Sequence, residues 1–285
     1  MGEIKDALKK AELIAFANHK GGTGKTTSCI SIAGFLAKEG YKVLVVDFDP
    51  QANATSGLGI DAMTLKHSIY DAILNKCNSS RGVPVIDVIL ETDFENMHLA
   101  PSESDLSAAE VIMQNTKNST DILANILRNI RPFYNYILID LPTSSGLLTI
   151  NGLCALDHLV VPVDPSIYSL ESLDNLKMTL TDIRKMTGHV FNKITVILIR
   201  FNKPKMFSKL SGRLSPSQEI EARLKERFQT VFTIPESIEI YKSQKEGIPL
   251  SHYAPDSDAG KAYKRITNKI IKEGGGSKRK EVERM

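Results

Sequence analysis

Short apolar runs alternate along the chain with longer segments in which apolar residues recur every three or four positions. The short runs are rich in Val, Ile and Leu, and several of them are continuously apolar. Such runs are typical of strands that are covered on both faces of a parallel sheet. The predicted strands lie at 13–18, 42–49, 97–101, 134–140, 158–164, 193–200 and 230–235.

The segments between these runs have the periodicity of helices. The predicted helices lie at 25–39, 68–76, 119–130, 147–155, 169–186, 216–228 and 257–272. A helix start is marked at Ser215, because Pro216 follows it and acidic residues occupy the first turn. This alternation favours a doubly wound α/β fold, in which a mostly parallel twisted sheet carries helices on both faces.

The length of 285 residues suits one large α/β domain or two small ones, and a single strand–helix pattern throughout favours one. We expect one domain at 1–273 and a flexible, charged tail at 274–285, where the low-complexity stretch "GGGSKRK" occurs. Three cysteines without CxxC spacing argue against a disulfide framework or a zinc site, and they suit a reducing cytosol. No apolar run reaches the ~18 residues of a membrane helix, and residues 1–10 lack the apolar core of a signal peptide.

The stretch "NHKGGTGKTT" at 18–27 lies between the first predicted strand and the first predicted helix. It departs from the phosphate-loop pattern G-x-x-x-x-G-K-[ST], because His19 stands where the first glycine is required and a second lysine, Lys20, follows. Glycine lets backbone N–H groups point at phosphate oxygens, and the next helix directs its positive end to the same place. We expect Lys25 to bridge the β- and γ-phosphates and the Thr26 hydroxyl to bind Mg²⁺. We assign no chemistry to His19.

"KGGTGKTT" resembles the deviant Walker A motif of the ParA/MinD family of P-loop ATPases. Segments at 43–59, 136–146, 159–173 and 248–263 resemble the same family in the same order, so the resemblance spans most of residues 13–272. The stretch "DPQANATSGLG" resembles the ParA (Soj-like) DNA-partitioning branch more than MinD. The resemblance implies ATP as substrate, Mg²⁺ as cofactor and an ATP-dependent homodimer. The nucleotide contacts it implies in this loop are Lys20, Gly21, Gly22, Thr23, Gly24, Lys25, Thr26 and Thr27.

The resemblance also implies a role for the second lysine. Lys20 would cross the dimer interface to the phosphates that the partner subunit holds. This is physically reasonable, because charge is buried at low cost only when it is paired. The alternative is a solvated lysine beside a loop.

Aspartates end two of the predicted strands, where α/β sheets bind ligands. Asp47 and Asp49 follow one strand, and Asp140 ends another. Mg²⁺ prefers oxygen ligands and keeps several waters, so Thr26 with Asp47 and Asp140 nearby forms a candidate metal site. By resemblance, Asp49 orients or activates the attacking water with Asp47 close by. The predicted catalytic residues are Lys20, Lys25, Asp49 and Asp47.

The remaining predictions for the nucleotide site are less direct. The resemblance places the adenine pocket near the end of strand 193–200 and around 234–240, with Asn202 and Pro235 as candidate contacts. Arg200 stands where relatives more often carry a small polar residue or asparagine. We interpret Asp164, before Pro165, as a turn or cap residue.

Positive charge is concentrated in the C-terminal third, although the whole chain carries only +3. Residues 200–213 contain five basic and no acidic side chains, and residues 261–285 contain nine basic and three acidic ones. Such clusters suit sequence-independent binding to nucleic-acid phosphates, and they also occur on ordinary solvated helix faces. By resemblance to ParA we favour nonspecific double-stranded DNA. The candidate contacts are Lys203, Lys205, Lys209, Arg213, Lys242 and Lys245.

The expected protein is therefore a cytoplasmic partition ATPase that associates with the nucleoid when ATP is bound and answers to a ParB-like adaptor. One alternative is a MinD- or FlhG-like positioning factor that binds membrane through its last helix. The apolar positions in 257–272 have core-packing spacing, which favours a packed helix and no membrane partner. Another alternative is a metabolic or metallocluster enzyme of the same fold. An iron-protein-like reductase needs paired interface cysteines, and Cys29, Cys77 and Cys154 do not occupy such places.

Overall fold

A computed structural model describes residues 11–77, 82–201 and 215–274. Its centre is an eight-stranded sheet in the order β3-β4-β2-β5-β1-β6-β7-β8. The strands are β1 Glu12–Phe16, β2 Val43–Asp47, β3 Leu90–Glu91, β4 Met97–Ala100, β5 Tyr136–Asp140, β6 His158–Val163, β7 Lys193–Phe201 and β8 Val231–Pro235. All neighbours pair in parallel except β3 and β4. The predicted doubly wound, mostly parallel sheet is confirmed.

Helices connect the strands. They are α1 Lys25–Lys38, α2 Asn53–Gly57, α3 Ile69–Lys76, α4 Val85–Val88, α5 Leu106–Gln114, α6 Ile122–Leu127, α7 Leu147–Ala155, α8 Ile167–Thr187, α9 Pro216–Arg227, α10 Ile238–Glu246, α11 Leu250–Tyr253 and α12 Asp258–Gly274. Two short 3₁₀ turns lie at Ala62–Thr64 and Arg131–Phe133. All seven predicted helices are present, and α7 has the predicted bounds. The sequence patterns missed β3 and five helices, namely α2, α4, α5, α10 and α11.

Alternate residues of the buried strands contribute to two separate hydrophobic clusters, one on each face of the sheet. In β1, Leu13 and Ala15 belong to one cluster, whereas Ile14 and Phe16 belong to the other. This division follows from the two-residue period of a strand. Because both faces are covered by helices, the central strands carry apolar side chains at successive positions, as expected for a parallel sheet.

The last described helix, α12, packs beside α1. Its apolar residues Ala259, Ala262, Tyr263, Ile266 and Ile270 are buried, so the prediction of a packed terminal helix is confirmed. The Tyr263 hydroxyl lies 3.1 Å from Ser28 Oγ in α1. Within the described part of the chain, no helix is both long and apolar enough to span a bilayer.

The sheet register brings the carboxyl ends of three strands together. Asp47 at the end of β2 is level with Asp140 at the end of β5, and Phe16 at the end of β1 is level with Asp140 on the other side. The segment 17–24 leaves β1 at this point and leads into α1. The loop and the strand-terminal aspartates therefore meet at one edge of the sheet.

Candidate active site

The phosphate loop has the backbone conformation that its glycines permit. Gly22 and Gly24 have φ values of 71° and 78°, which side chains other than hydrogen disfavour. A Cβ at Gly24 would also lie 3.3 Å from Ile199 Cδ1, which is tighter than an ordinary contact. Gly24 occupies the N-cap of α1, and no side chain caps this helix start. The first-turn N–H groups of α1 are thus left for an anionic ligand.

Lys25 and Thr26 begin α1 directly behind the loop. Lys25 is buried, with 7% of its surface exposed. Burial lowers the pKa of its ammonium, whereas the charges of Asp140 and Asp49 act in the opposite direction. The Thr26 hydroxyl donates a hydrogen bond of 2.6 Å to Asp140 Oδ2. The loop therefore presents one cation and one hydroxyl with acidic neighbours.

Asp47 and Asp140 form a buried acidic pair behind Thr26. Asp47 Oδ2 accepts hydrogen bonds from the Thr55 backbone N and Oγ1, both of 2.8 Å. Burial nevertheless raises the pKa of Asp47 to about 6. Burial, and then the charge of Asp47, raise the pKa of Asp140 well above its usual range. Two adjacent buried carboxyls disfavour a second negative charge unless a cation is near.

This acidic pair fits the predicted magnesium site. Asp140 Oδ1 is buried and has no hydrogen-bond partner, so it has a free acceptor. A hydroxyl with carboxylates behind it is a hard-oxygen donor set, which Mg²⁺ prefers. Within residues 11–77, 82–201 and 215–274, no group of three or more His, Cys, Asp or Glu side chains forms a metal cage. An ion here would therefore be completed by water and phosphate oxygens.

Asp49, two residues beyond the end of β2, lines the cleft beside the loop. Its Oδ1 accepts from the Gln51 backbone N at 3.0 Å, and its carbonyl accepts from Ser102 Oγ at 2.7 Å. Asp49 is buried except for 8% of its surface. Its carboxylate is thus held at the wall of the cleft, whereas Asp47 is turned toward α2.

The Lys20 side chain points away from the phosphate loop, toward residues 164–166 of the same chain, which lie just before α8. Its Nζ donates to Asp164 Oδ1 at 2.8 Å, to Asp164 Oδ2 at 2.7 Å and to Ser166 Oγ at 2.8 Å. Burial raises the pKa of Asp164, but hydrogen bonds from Lys20 and Ser169 lower it overall. The interpretation of Asp164 as only a turn or cap residue was incomplete, because its carboxylate is the counterion of Lys20.

The cleft has a volume of about 930 Å³ and extends from the loop to the ends of β7 and β8. Pro235, a candidate contact of the base, is one of the residues that line the cleft. Gln244 also lines it and donates from Nε2 to Thr27 Oγ1 at 2.7 Å. Gln244 was missed because α10, which carries it, was not predicted. Further lining residues that the sequence did not indicate are Gln51, Asn53 and Tyr241.

Two of the six predicted DNA contacts lie among the described residues. Lys242 and Lys245 are exposed on α10. The candidate base contact Asn202 and the candidate DNA contacts at 203, 205, 209 and 213 lie outside the described residues.

Comparison with known proteins finds a matching family and similar proteins of known name. Residues 11–194 match the family described as AAA domain. The chromosome-partitioning ATPase Soj of Thermus thermophilus is 32% identical over 265 residues, which cover 92% of this chain and 96% of that protein.

Two solved structures share the fold. A variant of McdA from Cyanothece, in complex with ATP, superposes with a TM-score of 0.79 at 22% identity, covering 93% of this chain and 97% of that one. Cobyrinic acid a,c-diamide synthase from Mycobacterium smegmatis, with bound ADP and magnesium, has a TM-score of 0.73 at 23% identity, covering 93% and 97%. Together with the family match and the Soj identity over almost the whole length, these findings show that the chain belongs to the AAA domain family of P-loop ATPases, in its ParA/Soj group.

Proposed function

We propose that this chain is a ParA-type partition ATPase. It binds Mg-ATP, forms a dimer with two nucleotides at the interface, binds nonspecific double-stranded DNA and hydrolyses ATP under the control of a ParB-like adaptor. This cycle would segregate or position plasmid or chromosome DNA. The observation that carries the proposal is the phosphate loop with two lysines, of which Lys25 lies in the cleft while Lys20 is bound to Asp164 outside it.

The loop supplies the binding of the triphosphate. The N–H groups between Gly21 and Thr27 and the start of α1 form the anion site. Lys25 is already buried with acidic neighbours, so its ammonium loses little water when phosphate oxygens replace them. At the far end, Pro235 and Gln244 line the space that a base would occupy.

Thr26 would hold the magnesium ion directly, and Asp47 and Asp140 would contact its water shell. When bound, Mg²⁺ neutralises phosphate charge and orients the transferring group. Asp140 has the free buried acceptor that such a shell requires, and its bond to Thr26 fixes the direction of the hydroxyl. Burial is the main cause of the raised pKa of Asp47 and of Asp140, so a cation bound here would favour the charged form of both.

Hydrolysis is phosphoryl transfer to water, in which positioning and charge neutralisation do most of the catalysis. Asp49 orients the attacking water from the wall of the cleft, where Gln51 and Ser102 hold it. Lys25 and the backbone N–H groups stabilise the charge on the equatorial oxygens. Lys20 of a second copy adds a cation at the same phosphates.

The position of Lys20 supports the proposed dimerisation. Its side chain is 31% exposed, and its ammonium is bound to Asp164 and Ser166 of its own chain. A triphosphate presented by a second copy offers more negative charge than one carboxylate does. Exchange of Asp164 for that triphosphate makes association of the two copies depend on ATP.

The proposed DNA contacts on α10, Lys242 and Lys245, are three residues apart and thus share one side of a helix. Two copies in a dimer double the number of such contacts, and each phosphate neutralised adds to binding. The basic residues of 203–213 are further candidate contacts from the sequence and lie outside the described residues.

A DNA gel shift with ATP, ADP and no nucleotide tests the proposal as a whole. We expect retention of DNA only with ATP, and its loss in Lys25→Ala, which cannot hold the triphosphate. Flotation with anionic liposomes is the parallel measurement. Binding to liposomes and not to DNA in the presence of ATP would contradict the proposal and support a membrane-associated positioning ATPase.

A further inference from the structure

His19 is the residue at which the loop departs from the phosphate-loop pattern, and its ring joins two segments outside the loop. Nδ1 lies 3.1 Å from Ser145 Oγ, in the segment that follows β5. Nε2 lies 3.2 Å from Thr179 Oγ1 in α8. A glycine at this position could make neither contact. His19 therefore connects the phosphate loop with the segment after β5 and with α8.

The partners define the tautomer of the ring. Thr179 Oγ1 donates its proton to the Asn175 carbonyl at 3.2 Å, so it accepts from the ring at Nε2. Nδ1 is then free to accept from the Ser145 hydroxyl. Burial lowers the pKa of His19; a hydrogen bond to the Thr143 backbone opposes this effect, and the charge of Lys25 adds to it.

The backbone on both sides of His19 is held in place. Asn18 Nδ2 donates to the Pro162 carbonyl at 2.7 Å, and Asn18 Oδ1 accepts from the Lys20 backbone N at 3.0 Å. The imidazole is therefore presented from a constrained position.

The segment 141–146 that His19 contacts is held at its other end by separate bonds. Thr149 Oγ1 donates to the Ser144 carbonyl at 2.6 Å, and the Leu148 backbone N donates to Glu110 Oε1 at 3.1 Å. Thr143, two residues before Ser145, lines the nucleotide cleft. Residues 144 and 148 are thus held by bonds to α7 and α5, while Ser145 between them is connected to the phosphate loop through His19.

We propose that His19 is a positioning residue that connects the phosphate loop to residues 143–145 through the bond to Ser145. The segment after Asp140 then changes conformation together with the loop when the nucleotide binds. This inference rests on the proposed ATPase function and extends it, since His19 itself does not contact the nucleotide. The step it controls is the placement of Thr143 at the cleft wall, next to Asp140.

Two substitutions separate this role from simple packing. Asparagine places a polar atom near the position of Nδ1, whereas glutamine places one near the position of Nε2. His19→Asn therefore keeps the link to Ser145, and His19→Gln keeps only the link to Thr179. Ser145→Ala removes the same link from the other side, and Ser144→Ala is a matched control in the same segment.

Hydrogen exchange of the full-length protein, with and without Mg-ATP, is the test. In the wild type we expect nucleotide to slow exchange both in the phosphate loop and in 141–149. In His19→Ala, His19→Gln and Ser145→Ala, the slowing in 141–149 falls by at least about threefold while that in the phosphate loop remains. In His19→Asn and Ser144→Ala, nucleotide still slows exchange both in the phosphate loop and in 141–149. Steady-state hydrolysis is measured alongside, and kcat falls about threefold to tenfold in the first group with KM little changed.

The outcomes are distinct. If nucleotide slows exchange in 141–149 of His19→Ala and Ser145→Ala as much as in the wild type, the inference is overturned and the proposed function is left intact. If His19→Asn and His19→Gln lose the slowing in 141–149 to the same extent, the inference is also overturned, because the link to Ser145 would then not be the one that matters. Absence of slowing in the wild-type phosphate loop contradicts the proposed ATPase function itself, and this inference with it.

Discussion

The ammonium of Lys20 lies 2.8 and 2.7 Å from the two carboxylate oxygens of Asp164, a residue 144 positions later in the chain. The two side chains are 31% and 16% exposed, so the pair is partly screened by water. A pair of this kind contributes about 1 kcal/mol. That is enough to hold the lysine within its own subunit and small enough for a triphosphate to displace it.

Asp164→Asn is therefore expected to make dimerisation easier. The amide cannot balance the lysine charge, so Lys20 is released, and the ATP concentration for half-maximal dimer formation falls about threefold to fivefold. Sedimentation velocity across an ATP titration measures this midpoint. Asp174→Asn, which breaks an exposed pair between α8 and Arg227 of α9, is the control. A midpoint at or above the wild-type value would show that the pair does not restrain Lys20.

Asp49→Ala separates binding from hydrolysis. The carboxylate at the cleft wall is removed while the loop is left intact, so ATP affinity stays near the wild-type value. Loss of the group that orients water reduces kcat by about hundredfold, and the protein accumulates on DNA in its ATP form. Phosphate release and gel shift are measured on the same samples. Normal turnover in this variant would place the water-orienting group elsewhere.

The buried acid Asp47 predicts a particular pH dependence. Its pKa of about 6 in the folded chain exceeds the ordinary aspartate value of 3.8, so the folded state binds a proton more strongly than the unfolded state. The free energy of unfolding contributed by this group is therefore present at low pH and lost as pH rises through 6. Asp47→Asn should gain about 1 kcal/mol relative to wild type between roughly pH 5 and pH 7.5.

Urea unfolding of the nucleotide-free protein at the two pH values measures this difference. Asp93→Asn, at an exposed position, is the control. The raised pKa would be contradicted if the free energy of unfolding of Asp47→Asn did not increase relative to that of the wild type as pH rises.

The salt dependence of DNA binding tests the basic surface. Replacing Lys242 and Lys245 with alanine should weaken binding and lower the slope of log K against log salt by about 2 for each copy, thus by about 4 for the dimer, because each lysine releases about one counterion. Lys177→Ala, on α8, is the matched control. An unchanged slope would place the DNA contacts elsewhere on the chain.

The sequence predicted the parts of this molecule that depend on local patterns. The alternation of apolar runs predicted the sheet, and the Gly-Lys-Thr stretch predicted the loop, because both are set by neighbouring residues. The helix α5 was missed although its apolar residues Leu106, Ala109 and Met113 have helical spacing and are buried. The helix α10 was missed for a physical reason, since its larger apolar residues Ile238 and Tyr241 are exposed and form no core-facing stripe.

The tertiary contacts of the site had no local signal. Lys20 meets Asp164, and His19 meets Ser145, because the sheet order places β1 between β5 and β6. No pattern in the sequence shows which strand ends become neighbours. For the same reason Asp47 and Asp49, two residues apart, have different surroundings, one against Thr55 and the other at the cleft.

The molecular mass of the protein in Mg-ATP is the most direct test of the central claim that Lys20 joins two copies through the nucleotide. Light scattering should give twice the mass of one chain for the wild type with ATP and the mass of one chain with ADP. Lys20→Ala should bind ATP and yet stay at the mass of one chain. A single-chain mass for the wild type at saturating ATP, or a wild-type-like dimer of Lys20→Ala, would contradict the account.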